Sequence, residues 1–363
     1  MLPYLITFTL SLVAYSFAIR SLNRRLRLLL IVISILLPAT LAGLHDPSLG
    51  LDWYGYGIDI WEIATNIHSF NSFLQYYPAI EPGYKLLNYA ISFISSDYHV
   101  FFFFHQLILA SIAVFVAYFN RNHKYSEIIL IFYFLYMYNT SINIIRQSLA
   151  LMMFLLAYTL WDSHYRKSSY SIFGISLFFH TSAVFAFPIY IVSAFKHVLR
   201  KYRVFIITAI IWTAYYTINS YTYILTQLID LNIFSGHYIG YADQVGEVSI
   251  HKTDIAFQAG IIILLFCLPS KAKNKEICFQ ISILALMAIT LNLFGNITDI
   301  AFRVAHYFIL PIAILMPRVS RSLKVNQIAC IIFAILLASR FLYFVFSGGA
   351  ENTVPYKSML LGI

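Results

Sequence analysis

Six basic residues stand apart in this 363-residue chain: Lys85, Arg146, Lys252, Arg303, Arg340 and Lys357 lie outside the clusters that hold its other Lys and Arg. Arg146 and Arg303 fall within long apolar runs. A charge there costs at least ~2.5 to 3.5 kcal/mol on insertion scales, so it is expected to face a cavity or a partner. Arg146 follows Asn139 and Asn143 at intervals of four and three, a spacing that predicts one polar stripe near the outer end of a helix. Its guanidinium, with several fixed and permanently charged donors, is shaped to grip a diphosphate; the rival expectation is an arginine snorkelling to the interface. Arg303 lies one turn after Asp299, which can neutralise it, while His306 and Tyr307 extend the same face toward a polar lining. Arg340, in the outer half of the last apolar run, is read as snorkelling.

Two residues compete for the role of general base. His180, followed by Thr181 and Ser182, has a near-neutral pKa suited to deprotonating a sugar hydroxyl, although a lone His in an apolar run is more often structural. Asp52, in a polar segment with Glu81 and with Gly50 and Gly83 nearby, can bind sugar hydroxyls or act as base. Asp59 and Glu62, at i and i+3, have no compact ligand set around them, so no catalytic metal is expected.

These residues must be positioned by membrane helices. The chain is 60% hydrophobic and only 11% charged, against about 25% charged in soluble domains. A water-soluble core is excluded. The expected fold is all-α, a polytopic transmembrane bundle forming one integral membrane domain over residues 1–363. The net charge of +9 sits in short clusters between apolar runs, without an aromatic stacking platform, so nucleic acid is not expected as a partner. Cys267, Cys278 and Cys330 show no metal-type spacing and read as free thiols.

The clusters are Arg20 to Arg27, Arg121 and Lys124, Arg166 and Lys167, Lys196 to Arg203, Lys271 to Lys275, and Arg318 to Lys324. The positive-inside rule places all six on the cytoplasmic side. Crossings are then expected at 1–19, a retained first helix, and at 26–44, 98–119, 126–139, 144–161, 204–227, 254–270, 277–297, 300–316 and 325–347, or about ten spans. The interval 170–195 is too short for two full spans. A re-entrant pair of half-helices turning near His180 is predicted there, with Pro188 weakening the returning arm. Of the 15 Asp and Glu, all but Glu127, Asp162 and Glu276 then fall on the outer side. Two outer loops, about 45–97 and 228–253, mix aromatic and polar residues in a way that suits sugars, whose C–H faces stack on rings, though an interfacial aromatic belt has the same composition.

Taken in order, several short elements resemble the EpsG family of membrane proteins, to which many Wzy-type O-antigen and exopolysaccharide polymerases belong. They are Gly50-x-Asp52 followed by Tyr56, Glu81-Pro82-Gly83-Tyr84 leading to Leu87-Asn88, Arg146-Gln147 with Leu149-Ala150, Phe179-His180 with Ser182-Ala183, Arg303 to Tyr307, and Pro355-Tyr356. Where the family often carries Arg before the Gly-x-Asp element, this chain has Leu44-His45-Asp46. The resemblance implies a fold related to the multi-helix membrane glycosyltransferases. It also implies a polymerase that joins oligosaccharide repeat units carried on undecaprenyl diphosphate, at the outer face of a bacterial cytoplasmic membrane. Under it, Arg146 and Arg303 hold the diphosphate, and His180 or Asp52 activates the acceptor. Glu81, Tyr84, Tyr56, Gln147, Asn143, His306 and Tyr307 line the substrate site. No cofactor is implied, since a lipid diphosphate leaves well with charge stabilisation and one base. Membrane lipid, a flippase and a chain-length regulator are the expected partners. An O-antigen ligase is the nearest alternative, followed by a membrane acyltransferase and a flippase.

Overall fold

A computed structural model of the protein describes residues 1–67, 69–210, 212, 213, 216, 223, 252–294 and 299–362. The side chains of 299, 300 and 348–352 are outside that description, as is nearly all of the expected outer loop 228–253, with Asp230, Asp243 and Glu247. Among the described residues the chain is helical, with no strand beyond one isolated bridge between Lys273 and Ser320. Five helices are long and apolar enough to cross a membrane: Leu2–Arg20, Arg24–Gly43, Tyr98–Phe119, Lys275–Phe294 and Leu323–Ser347. At 1.5 Å per residue, each spans the roughly 30 Å hydrocarbon layer.

Two compact units are present, one formed by residues 1–184 and 337–363, the other by 185–336. The first unit opens with α1 (Leu2–Arg20) and α2 (Arg24–Gly43), joined by a turn in which the Asn23 side chain accepts from Arg25 and Leu26 N–H at 2.9 and 3.2 Å. That side chain supplies two of the donors orphaned at a helix start with an acceptor. On α1, Leu2, Ile6, Leu10, Val13 and Phe17 form an exposed stripe, while Tyr4, Phe8, Ser11, Tyr15 and Ala18 are buried. A large apolar stripe facing outward is stable against lipid and not against water. Pro38 lies inside α2 and has no N–H for the Ser34 carbonyl; the Ser11 hydroxyl donates to that carbonyl instead, at 2.5 Å.

The expected outer loop 45–97 is a helical layer. A short π-helix (Trp53–Gly57) runs into α3 (Ile58–Asn66), followed by α4 (Phe70–Gln75) and α5 (Pro82–Ser92). Aromatic rings anchor it to α6 (Tyr98–Phe119). Trp53 packs 4.6 Å from Phe102 and 5.5 Å from Phe101, and the Trp61 indole N–H donates to the Ser96 carbonyl at 3.0 Å. Such pairs add ~0.5 to 1.5 kcal/mol beyond the area they bury.

Next come α7 (Glu127–Phe132), a π-helix (Tyr133–Met137), α8 (Tyr138–Asn143), α9 (Ile145–Asp162) and α10 (Arg166–Phe179). The chain tail packs back on this unit. Tyr4 donates to the Thr353 carbonyl at 2.7 Å, and Tyr356 donates to the Leu41 carbonyl at 2.9 Å. Loops that the charge pattern assigns to one face are found together: Arg20 pairs with Glu127 at 3.0 Å, and Phe119 meets Tyr165 at 6.2 Å.

The second unit contains α11 (Phe187–Ala194), α12 (Lys196–Lys201), α13 (Lys252–Cys267), α14 (Lys275–Phe294), α15 (Asp299–Leu315) and the first part of α16 (Leu323–Asn352). Helix α14 is central, packing on α13 and α15 and bonded to its neighbours through buried amides. Asn292 Nδ2 donates to Gln258 Oε1 at 3.0 Å, and Gln280 Nε2 donates to the Ser193 hydroxyl at 2.7 Å. The Lys271 to Lys275 loop is bonded to the Arg318 to Lys324 loop, through Asn274 N–H to Val319 O at 2.8 Å and Arg321 N–H to Ala272 O at 3.0 Å.

Candidate functional site

Local backbone breaks assemble the site. The expected stripe through Asn139, Asn143 and Arg146 does not form, because α8 ends at Asn143 and Ile144 leaves helical geometry (φ −119°, ψ 57°) before α9 begins. The two asparagines take separate partners. Asn139 Nδ2 donates to the Thr353 hydroxyl at 2.9 Å, while Asn143 Oδ1 accepts from Leu51 N–H at 2.9 Å. Arg146 is left in the first turn of α9.

Gly50 makes the approach to that turn possible. Its φ is +96°, and a Cβ on it would stand 2.7 Å from the Ile142 carbonyl oxygen. The chain therefore passes directly over the helix break and delivers Asp52, whose Oδ2 accepts from Ile145 N–H at 3.1 Å. A carboxylate at a helix start satisfies an orphan donor and complements the positive end of the macrodipole. One turn later the Tyr56 hydroxyl donates to the same oxygen, and its ring lies 4.5 Å from the Arg146 guanidinium. Burial first, then the Asp52 charge, raises the Tyr56 pKa well above its ordinary value, so the phenol remains a donor.

Glu81 occupies the N-cap of α5, with Pro82 in the first turn, where its missing N–H costs nothing. Arg146 Nη1 donates to Glu81 Oε2, and Thr181 N–H donates to Oε1 at 3.2 Å. The close approach depends on Gly83, since a Cβ there would lie 2.6 Å from the Phe178 carbonyl oxygen at the end of α10. Helix α10 stops at Phe179, and His180 is extended (φ −159°, ψ 126°) before a 3₁₀ turn over Thr181–Ala186. The helical interruption expected at His180 is thus present. Pro188, expected to weaken the following arm, instead lies in the first turn of α11, a position proline suits.

The His180 ring has Nδ1 3.7 Å from Glu81 Oε1 and accepts at Nδ1 from Ser182 N–H at 3.1 Å. Arg146, Glu81 and His180 expose 18%, 9% and 13% of their side chains, so all three are largely buried while each keeps some accessible surface. Asp52, Tyr56, Arg146, Glu81 and His180 therefore form one continuous chain of contacts in the first unit. Tyr84 stands behind it, fully buried, with its ring 6.1 Å from that of Tyr56. Gln147 and Asn143 are buried beside it.

Arg303, His306 and Tyr307 lie on α15 of the second unit. Arg303 is half-buried, His306 and Tyr307 are buried, and the His306 ring sits 4.8 Å from Phe302. Arg340 is 4% exposed and lies over the Tyr136 ring at 4.1 Å, which replaces the expected snorkelling with burial among aromatics. Sequence reasoning passed over His105. Buried on α6, its Nε2 is 3.1 Å from Ile145 O and 3.2 Å from the Ser148 hydroxyl, and it supports the start of α9. A histidine at membrane depth in an apolar helix was the available signal.

A multi-pass helical membrane protein with a buried acid, arginine and histidine beside a layer of short helices is the class these features define. The profile of the EpsG family matches residues 28–358, nearly the whole chain, and the protein belongs to that family. Membership implies, in general terms, a polymerase-type glycosyltransferase of exopolysaccharide or O-antigen synthesis. No curated protein and no solved structure matches the chain.

Proposed function

We propose that this protein joins oligosaccharide repeat units carried on undecaprenyl diphosphate, acting at the outer face of a bacterial cytoplasmic membrane. The observation that carries this reading is the contact chain from Asp52 through Tyr56, Arg146 and Glu81 to His180, in which a fixed cation and an imidazole lie against one carboxylate.

In this reading Arg146 holds the diphosphate of the growing chain, whose departure needs charge stabilisation more than protonation. His180 takes the proton of the acceptor hydroxyl as that oxygen attacks the anomeric carbon. Asp52 is engaged by Tyr56 and by the first N–H of α9, which supports a positioning role for it, with His180 as the base in this reading. Asn143 and Gln147 hold the wall behind Arg146, Tyr84 backs Tyr56, and His306 and Tyr307 line the surroundings of Arg303. A flippase supplies the lipid-linked units, and a chain-length regulator sets when elongation stops.

Arg146→Ala should abolish long chains in cells while the protein remains in the membrane at wild-type abundance. Chains of wild-type length from that variant would remove Arg146 from the mechanism.

A further inference from the structure

We propose that Glu81 is a positioning residue that the donor's diphosphate displaces from Arg146 and that, once displaced, turns His180 into a competent base. This rests on the reading of Arg146 as the diphosphate holder.

The hydrogen bonds around His180 set a requirement. A backbone N–H can only donate, so the Ser182 N–H bond makes Nδ1 the acceptor and leaves the neutral ring's proton on Nε2. A ring protonated at Nε2 cannot take a proton there. To act as base through Nε2, His180 needs its proton on Nδ1 and an acceptor for it. Glu81 Oε1 is the acceptor at hand, 3.7 Å from Nδ1, about 1 Å beyond good bonding distance.

What keeps the carboxylate from closing that gap is its other commitment, the bond from Arg146 Nη1 to Oε2. Arg146 is also incompletely satisfied, since its Nε is buried without a hydrogen-bond acceptor and one face of the guanidinium is covered by Tyr56. A diphosphate carries more charge than one carboxylate and offers several oxygens to the planar fork, so it outcompetes Glu81 and gives Nε a partner. Released, the carboxylate is still tethered by Thr181 N–H on Oε1 and shifts toward the adjacent imidazole.

The step balances. The acceptor oxygen forms a bond to the anomeric carbon, its proton passes to His180 Nε2, and Glu81 faces the imidazolium charge. The bond from the anomeric carbon to the diphosphate oxygen breaks, with its electron pair leaving on the diphosphate held by Arg146. The imidazolium then returns its proton to water. Donor binding and base activation are thereby one event, and an empty site holds no active base.

The test uses the full-length protein in proteoliposomes, with two readouts: binding of undecaprenyl diphosphate without sugar, and elongation at saturating lipid-linked repeat unit. Glu81→Gln removes the internal competitor for Arg146 and the partner of Nδ1. It should bind undecaprenyl diphosphate at least about fivefold more tightly while elongating about 100-fold more slowly. Glu81→Asp, which keeps the charge, should restore part of the rate. A structural role for Glu81 would lower binding and rate together, and that parallel loss, or an unchanged rate, overturns the proposal. If Glu81→Gln does not fold, Glu81→Asp, whose shorter arm weakens the carboxylate's hold on both Arg146 and Nδ1, decides on the same split: tighter binding with elongation slower than wild type supports the switch, and parallel loss overturns it. Arg146→Ala separates the two levels. It should lose binding of undecaprenyl diphosphate, whereas undiminished binding would sink the diphosphate reading and the switch with it.

Discussion

Arg146 and Arg340 are both arginines set among apolar helices of the same unit, and their surroundings differ in kind. Arg340 is 4% exposed, with its guanidinium 4.1 Å from the Tyr136 ring and 5.2 Å from the Phe344 ring. Arg146 has one face on Tyr56, an edge on Glu81, and 18% of its side chain exposed. An arginine stacked on two rings and 4% exposed is closed to a ligand. One held by a carboxylate and still partly exposed keeps a contact that a stronger anion can replace. The position of a charge within an apolar run does not separate these cases; its exposure in the fold does.

The comparison can be broken at either arginine. Arg146→Lys keeps the charge but loses the planar fork, and it should cut elongation by at least about 100-fold at unchanged membrane abundance. A near-wild-type rate would mean that a point charge suffices. Gly83→Ala pushes a methyl toward the Phe178 carbonyl and so separates Glu81 from His180. Its elongation rate should fall roughly tenfold or more, as read in the same reconstituted assay. Arg340→Ala should leave the rate per folded molecule within about threefold while lowering stability by ~2 kcal/mol, seen as a reduced melting temperature in detergent. A lost rate with retained stability would move Arg340 into the site.

The smallest effect concerns His45, which stands where the family often carries Arg. Burial holds its pKa down at about 4, with Nδ1 2.8 Å from the Asp46 carbonyl oxygen. The unfolded chain takes up this proton below about 6.5, and the folded chain does so only near 4. Stability linked to His45 is therefore complete above the unfolded value and is lost as pH falls through that window, by at most ~3 kcal/mol. Melting temperatures between pH 7.5 and 4.5 should drop less steeply in His45→Asn than in the wild type. Equal slopes would show that His45 remains neutral for no energetic reason.

The apolar runs and the spacing of basic clusters made the helical membrane class legible, because both follow from solvation, which each residue carries on its own. The interruption at His180 was legible from length alone. The break at Ile144 was not. Its neighbours are Asn143 and Ile145, with no Gly or Pro to mark it, and it is held by partners distant in sequence: Asp52, His105 and Leu51. For the same reason the asparagine stripe was misplaced, and the carboxylate found on Arg146, that of Glu81, comes from 65 residues earlier in the chain. The segment 45–97 read as a loop because its helices are short and its anchoring is aromatic contact with α6, which no periodicity within the segment reports. Glu81, Arg146 and His180 were each visible as residues. Their meeting depends on Gly50 and Gly83 allowing backbone to touch backbone, a property of the fold rather than of any local pattern.

The most direct measurement is elongation by purified His180→Gln in proteoliposomes supplied with lipid-linked repeat units, alongside binding of the same donor. Donor retained at wild-type affinity with no ladder of products is the expected result. A ladder of wild-type length and rate would contradict a base at His180, and with it the claim that the Arg146, Glu81 and His180 cluster is where the glycosidic bond is made.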